Sequence, residues 1–223
     1  MMLVKRMMCV CICVLISNVS QADIVGDTSE FSGVQGQDNW EYGFWFGTGA
    51  GYGADDFVLL DDNKFNGSYW DYAPNPNFLT IAENTWHTNG GSGTGAFMAP
   101  IKRWESEGTG MMKVTGLWRN NDTARSVSAL SRNGTTARIF VEGVMVYQQK
   151  ISWWAYPGYT GYEVSFPVSL GDRVDFLIDS DGDVNDDLTY FTTTLDLTST
   201  VPEPSSIAML GLMGMGLIRR RVR

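Results

Sequence analysis

Residues 135–149 read TTARIFVEGVMVYQQ and contain the clearest secondary-structure signal in the chain. Apolar side chains recur at every second position, at Ala137, Ile139 and Val141, which is the period of a β-strand. Glu142-Gly143 then supplies a turn, and the residues that follow it pair back on the first strand. The stretch therefore predicts a β-hairpin with one face in a hydrophobic core.

The same two-residue period continues outward from this hairpin in both directions. It occurs in four further stretches, which are residues 40–46, 163–168, 174–178 and 189–197. No stretch of helical length between them is convincingly amphipathic. Many short strands separated by Gly, Asn and Asp predict an all-β fold, a single β-sandwich or jelly roll over residues 23–200.

Aromatic and apolar residues indicate where the core of this sandwich lies. Residues 40–46 place one aromatic face on a strand, with Phe46 as its last member. Residues 57–60 form a short apolar run between pairs of aspartates and are predicted to be buried. We also expect five tryptophans in the core or at its margins, namely Trp40, Trp70, Trp86, Trp104 and Trp118.

Composition excludes some classes of protein. The chain has 223 residues, of which 43% are apolar and 13% aromatic, so it is not a disordered chain. Sixteen basic residues against 25 acidic ones argue against a nucleic-acid partner. His87 is the only histidine, and no Gly-x-Ser-x-Gly motif accompanies it, so we expect no enzyme. Paired carboxylates leave a glycan-active enzyme as an alternative.

The first 22 residues have the pattern of a signal peptide. Lys5 and Arg6 precede the apolar run 7–16, and Ser20-Gln21-Ala22 provides small residues before a cleavage site after Ala22. An uncleaved membrane anchor is the alternative. All three cysteines lie in this segment, at Cys9, Cys11 and Cys13, so the mature chain contains no cysteine.

The last 23 residues, 201–223, have three parts. Pro202, Glu203 and Pro204 precede the apolar run 207–218, and four arginines follow it. This tail resembles the PEP-CTERM sorting signal of Gram-negative bacteria that make extracellular polysaccharide. The resemblance implies an exosortase-type membrane transpeptidase as partner, transient insertion of a helical tail into the membrane, and sorting to the envelope, surface or matrix. A buried C-terminal helix is the alternative.

The charge of the mature domain differs from that of the whole chain. The signal peptide and residues 205–223 hold six of the 16 basic residues and no acidic residue. The remaining segment therefore has 10 basic and 25 acidic residues, a net charge of −15 against −9 for the whole chain.

Four stretches of the middle region resemble a domain common in exported PEP-CTERM and planctomycete-type surface proteins. They are residues 31–43, 99–104, 133–143 and 170–176. The resemblance implies a jelly-roll β-sandwich of the carbohydrate-binding-module type. It implies no particular activity, because a fold hosts many functions.

Residues 150–162 are the first candidate for a ligand site, and the part from residue 153 to residue 159 is here called the aromatic segment. They include Trp153, Trp154, Tyr156 and Tyr159 beside Gly and Pro. Two adjacent tryptophans in an extended chain point to opposite faces, so they do not both enter the core. Flat aromatic faces stack on sugar rings, which predicts a polysaccharide site. The alternative is a loop that covers a sheet edge and buries its aromatic side chains.

Residues 179–187, here called the acidic segment, are the second candidate. Its carboxylates, spaced to converge on a hard cation such as Ca²⁺, are Asp179, Asp181, Asp183, Asp186 and Asp187. An EF-hand is excluded, because Val184 stands at the sixth position and Tyr190 at the twelfth. The alternative is a solvated acidic hairpin tip.

These observations favour an exported, envelope- or matrix-sorted, non-enzymatic protein with a carbohydrate-binding β-sandwich. A structural surface protein that acts through protein contacts is the second hypothesis. A glycan-active enzyme is the third.

Overall fold

The structure is a computed structural model that describes residues 22–48, 51–72, 79–90, 97–121, 134–152, 160–182 and 188–199. These residues form β-strands and short 3-10 helices and no α-helix. The strands are β1 (Ala22–Asp27), β2 (Trp40–Phe46), β3 (Val58–Leu59), β4 (Tyr69–Asp71), β5 (Thr80–Ala82), β6 (Thr85–His87), β7 (Asn89–Gly90), β8 (Phe97–Glu105), β9 (Gly110–Asn120), β10 (Thr135–Val141), β11 (Val144–Ile151), β12 (Thr160–Val168), β13 (Arg173–Asp179) and β14 (Leu188–Ser199). The 3-10 helices are Thr28–Glu30, Gln37–Asn39, Ala54–Asp56 and Asp62–Lys64.

The strands form two antiparallel sheets. Sheet 1 has the order β12-β9-β14-β6-β5-β4, with β1 also on β14. Sheet 2 has the order β11-β10-β13-β8-β2-β3, with β7 also on β8. From β8 to β14 every connection except the β10–β11 hairpin passes from one sheet to the other. The central strand orders β6-β14-β9-β12 and β8-β13-β10-β11 are those of a jelly roll, which confirms the predicted β-sandwich. The predicted terminal helices lie outside the described residues.

The core between the sheets is rich in aromatic side chains. All five tryptophans predicted to be there are buried. The Trp118 ring lies 4.3 Å from the Phe191 ring and 6.1 Å, edge to face, from Trp86. Such geometry adds about 0.5–1.5 kcal/mol per ring pair to the effect of burial. Residues 22–199 contain no cysteine, so packing of this kind is the main source of stability for the sandwich.

One detail of the sequence prediction is wrong at the margin of this core. Val58 and Leu59 were expected to be buried, but 39% and 48% of their surfaces are exposed. They form β3, which lies at the edge of sheet 2 and pairs only with β2. Phe46 is 51% exposed, because it is the last residue of β2 and extends past the core. The alternation of apolar and polar residues identifies the two faces of a strand. It does not show where the opposite sheet stops covering one of those faces.

A second hydrophobic cluster lies on the outer face of sheet 2. Residues 51–57, here called the strap, cover this face, and the Tyr52 ring lies 4.9 Å from Phe140 and 5.7 Å from Trp45. A Cβ on Gly143, whose φ is +75°, would lie 2.5 Å from the backbone nitrogen of Ala54. Glycine at this turn therefore allows the strap to approach the β10–β11 hairpin.

A buried ion pair lies under the strap. Arg103 Nε donates to Asp175 Oδ1 at 2.7 Å, and Arg103 Nη2 donates to Asp175 Oδ2 at 3.0 Å. The Tyr52 hydroxyl donates to Asp175 Oδ2 at 2.7 Å, and the Ala54 carbonyl accepts from Arg103 Nη2 at 2.8 Å. Phe57 lies against the guanidinium, 4.0 Å from its carbon to the ring centre. The charges are thus satisfied by hydrogen bonds that join the strap to the sheet.

Candidate functional site

Six gaps separate the described ranges of the chain. The described strand ends next to these gaps lie at one end of the sandwich, here called the loop end. In sheet 2, Thr136 pairs with both Lys150 and Asp179. The two sheets meet there, where the hydroxyl groups of Thr135 in β10 and Thr189 in β14 form a hydrogen bond of 3.0 Å. The last described residues before these six gaps are Thr48, Tyr72, Gly90, Asn121, Ser152 and Gly182.

The aromatic segment lies outside the described residues, and so do Trp153, Trp154, Tyr156 and Tyr159. The strands that flank it are described. Ile151 ends β11 in sheet 2 and is buried, and Thr160 begins β12 in sheet 1, where it pairs with Trp118. The two strands that flank the aromatic segment therefore belong to different sheets, and the described residues next to it lie at the loop end.

The acidic segment begins with two carboxylates that have cationic partners. Asp179 is buried, and Arg138 Nη1 donates to its Oδ2 atom at 2.5 Å. Asp181 Oδ2 accepts from the Thr136 hydroxyl at 2.5 Å and from the Lys150 ammonium. The other predicted calcium ligands, Asp183, Asp186 and Asp187, lie outside the described residues. Arg138 and Lys150 thus reduce the negative charge at this strand end without a metal ion.

The contact between Lys150 and Asp181 joins the bases of the two candidate segments. Lys150 precedes the aromatic segment by three positions, and Asp181 belongs to the acidic segment. The two residues are 31 positions apart in sequence and are brought together by the pairing of β10 with β11 and β13. The structure therefore places the origins of both segments side by side.

Sequence reasoning missed the buried role of Arg138. It alternates with the apolar residues Ala137, Ile139 and Val141 of β10, and alternation alone places it on the face away from the core, where an arginine is normally solvated. It does point away from the main core, yet only 5% of its surface is exposed. Its partner Asp179 is 41 positions away, and no local pattern identifies such a pair.

His87, the one histidine in the sequence, lies at a strand end and contacts a backbone carbonyl group. His87 ends β6 and is half-buried, and its Nδ1 atom lies 2.6 Å from the Thr88 carbonyl oxygen. Across the described ranges, no three His, Cys, Asp or Glu side chains converge in a way that could hold a metal ion. Among the same residues, no helix has the length and apolar character needed to cross a membrane.

The first and last described strands pair at the opposite end of the sandwich, here called the tail end. Ala22, the predicted cleavage residue, begins β1 and pairs with Thr198 near the end of β14. Ser199 pairs with Gly110 at the start of β9. The turns at this end bond to each other, since the Gly171 amide donates to the Ser106 carbonyl at 2.8 Å. Pro202, Glu203 and Pro204 lie outside the described residues.

Comparison with protein families identifies the tail. Residues 200–222 match the PEP-CTERM protein-sorting motif. This match confirms the resemblance drawn from Pro202, Glu203, Pro204, the apolar run and the arginines. It indicates a bacterial protein that is exported and sorted to the cell envelope.

Comparison with solved structures finds β proteins of low identity. The chain is similar to the CBM22-1 xylan-binding domain of Paenibacillus barcinonensis Xyn10C, with 10% identity, a TM-score of 0.35, and coverage of 81% of this chain and 97% of that one. It is similar to a family 35 carbohydrate-binding module from Clostridium thermocellum, with 14% identity, a TM-score of 0.29, and coverage of 50% and 88%. It is also similar to pika GITRL, with 15% identity, a TM-score of 0.30, and coverage of 58% and 94%. A comparison with curated sequences gives no match.

Proposed function

We propose that this exported, envelope-sorted protein is a non-enzymatic carbohydrate-binding protein whose site lies at the loop end. The aromatic segment supplies the stacking surface through Trp153, Trp154, Tyr156 and Tyr159. One observation supports this proposal most directly. The chain has eight tryptophans, and the six within the described residues are all buried, whereas the remaining two are adjacent in the aromatic segment.

The base of the segment suits a binding site. A stacking surface discriminates between ligands only if its supporting strands hold it in place. The buried pair Arg138–Asp179 and the Lys150–Asp181 contact join β10, β11 and the end of β13 below the segment. These ion pairs therefore reduce the conformational freedom that a ligand would otherwise have to remove.

The sorting tail accounts for location. We propose an exosortase-type transpeptidase as the partner that recognises Pro202, Glu203 and Pro204, and a Gram-negative cell surface or matrix as the destination. The net charge of −15 on the mature segment suits a hydrated polysaccharide setting, since like charges keep copies of the domain apart.

Loss of either tryptophan should weaken sugar binding. We expect Trp153→Ala and Trp154→Ala each to lower the affinity for a polysaccharide about tenfold, which corresponds to about 1.4 kcal/mol. A glycan array identifies the polysaccharide, and titration calorimetry measures the affinity. Tyr69→Ala is the matched control, because Tyr69 is an exposed aromatic residue on β4 and its loss should leave affinity unchanged.

Three results would reject this function. They are no binding to any glycan, equal binding by all three variants, and release of reducing ends or unsaturated uronates from polysaccharide. Self-association without glycan binding would favour the structural surface protein, and product release would favour the enzyme.

Calcium at the acidic segment stays a prediction that rests on Asp183, Asp186 and Asp187. Asp179 and Asp181 already have cationic partners, so these three carboxylates supply the remaining negative charge for an ion. The hypothesis predicts that millimolar Ca²⁺ raises the melting temperature and that a chelator lowers it. A melting temperature that neither treatment changes rejects the site.

A further inference from the structure

The two ends of the sandwich differ in which segments of the chain adjoin them. The tail end holds the start of β1 and the end of β14, the first and last described strands of the chain. The aromatic and acidic segments leave from the loop end. β14 runs between the two ends, from Leu188 to Ser199, and its 12 residues span about 36 Å at about 3.3 Å per residue.

The chain between β14 and the sorting tail is short compared with that length. The apolar run of the tail begins at Ile207, eight residues after Ser199. A fully extended chain covers at most about 3.6 Å per residue, so this connection reaches at most about 29 Å. If the loop end faced the bilayer, Ser199 would lie about 36 Å above it, beyond the reach of the connection. An inserted tail is therefore incompatible with that orientation.

Several exposed apolar side chains lie at the tail end. Among the large apolar residues that the described ranges expose, Leu170 is 71% exposed, Val144 68% and Met111 46%. Leu170 lies in the β12–β13 turn, Val144 begins β11, and Met111 pairs with Thr198 beside the exit of the tail. At the loop end, Phe46 is a large apolar residue with 51% of its surface exposed.

We propose that the tail end is a membrane-facing surface, with Leu170, Val144 and Met111 against the lipid headgroups, and that the loop end points away from the envelope. The proposal rests on insertion of the sorting tail and is independent of sugar binding. Acidic residues at the same end, among them Glu107 and Asp172, favour zwitterionic over anionic lipid, because like charges repel at the surface. The described ends of β11 and β12, which flank the aromatic segment, then face away from the envelope.

The orientation can be measured with a fluorophore at each end. The experiment uses the predicted mature chain, residues 23–223, which contains no cysteine. A single cysteine is introduced as Ser169→Cys at the tail end or Thr48→Cys at the loop end, both at exposed positions. The labelled chains are reconstituted into phosphatidylcholine vesicles that carry a headgroup quencher. We expect quenching of the Ser169 probe to be several-fold stronger than that of the Thr48 probe.

Further variants test the apolar contact. Met111→Ser combined with Leu170→Ser should reduce quenching of the Ser169 probe, and phosphatidylglycerol should reduce it further. Val58→Ser is the matched control, since Val58 is an exposed apolar residue on β3 away from the tail end, and it should leave quenching unchanged. Equal quenching at both ends, stronger quenching at Thr48, or failure of the chain to associate with vesicles overturns the proposal. A variant that loses only glycan binding should show unchanged quenching of both probes.

Discussion

Asp175→Asn should lower the free energy of unfolding by about 3–5 kcal/mol. Asp175 has no exposed surface, and both of its oxygens accept from the Arg103 guanidinium at 2.7 and 3.0 Å. Asparagine has nearly the same shape but no charge, so the buried guanidinium loses its counter-ion. Removal of one partner costs more than the pair contributes, because the other charge stays desolvated.

The guanidinium cannot escape this penalty by losing its proton. Burial opposes the charged form of Arg103, but the hydrogen bonds and charge of Asp175 outweigh burial and raise the pKa of Arg103. Burial, with the neighbouring Asp175 charge, also raises the pKa of Tyr52, which stays neutral. The variant therefore either exposes Arg103 to water or retains an unpaired charge. Both outcomes loosen the strap, whose Tyr52 and Ala54 depend on this pair.

Urea unfolding followed by tryptophan fluorescence measures the loss. Glu163→Gln is the matched control, because it breaks the exposed pair with Lys113 at 2.9 Å and should cost below about 1 kcal/mol. The double variant Arg103→Met, Asp175→Leu should recover most of the stability lost in Asp175→Asn, since apolar residues of similar volume often replace a buried pair without penalty. A loss no larger than that of Glu163→Gln would show that the pair is not essential to the strap.

The sandwich was predictable because its signal is local. Alternation at Ala137, Ile139 and Val141 identifies a strand from a few neighbouring residues, and the Glu142-Gly143 turn fixes its partner. The jelly-roll order came from a resemblance and was confirmed by the pairing of the strands. The outer cluster of sheet 2 was not predictable, because residues 51–57 cover it from a distant part of the chain.

The candidate site was predictable in its parts but not in their arrangement. Composition alone identified the aromatic and acidic segments, since each is dense in one residue type. Their common origin depends on the register by which β10 pairs with β11 and β13, and no short-range pattern specifies that register. The same limit affected the acidic segment. Its aspartates were considered without Arg138, although the guanidinium satisfies Asp179 in the folded chain.

Stability should rise with pH between about pH 7 and 9.5, because the core contains a lysine. Lys102 is 2% exposed, and its ammonium lies 5.0 Å from the Phe31 ring centre and 5.2 Å from that of Trp86. Its Nζ atom donates to the Glu83 carbonyl at 2.6 Å. Burial lowers the pKa of Lys102 from 10.5 to about 7, and the Glu83 charge offsets part of that change.

The direction of this pH dependence follows from the number of protons bound in the folded and unfolded states. Between pH 7 and 10.5 the unfolded chain keeps the Lys102 proton and the folded chain does not, so rising pH favours the folded state. One such group contributes at most about 1.4 kcal/mol per pH unit, or about 3 kcal/mol from pH 7 to 9.5. Buried tyrosines set the upper limit, since burial raises the pKa of Tyr42 to about 12 and unfolded tyrosine ionises near 10. Stability therefore falls again above about pH 10.

Urea unfolding at pH 6.5, 7.5, 8.5 and 9.5 tests this dependence. Lys102→Met removes the titrating group and should flatten the curve, even if loss of the donor to the Glu83 carbonyl lowers stability at every pH. Lys113→Met should retain the slope of the unmodified protein, because Lys113 is 45% exposed and paired at the surface. A flat curve for the unmodified protein, or equal slopes for all three chains, would mean that Lys102 keeps its proton in the core. The aromatic rings of Phe31 and Trp86 would then stabilise a buried cation, which is the opposite of the neutral amine expected here.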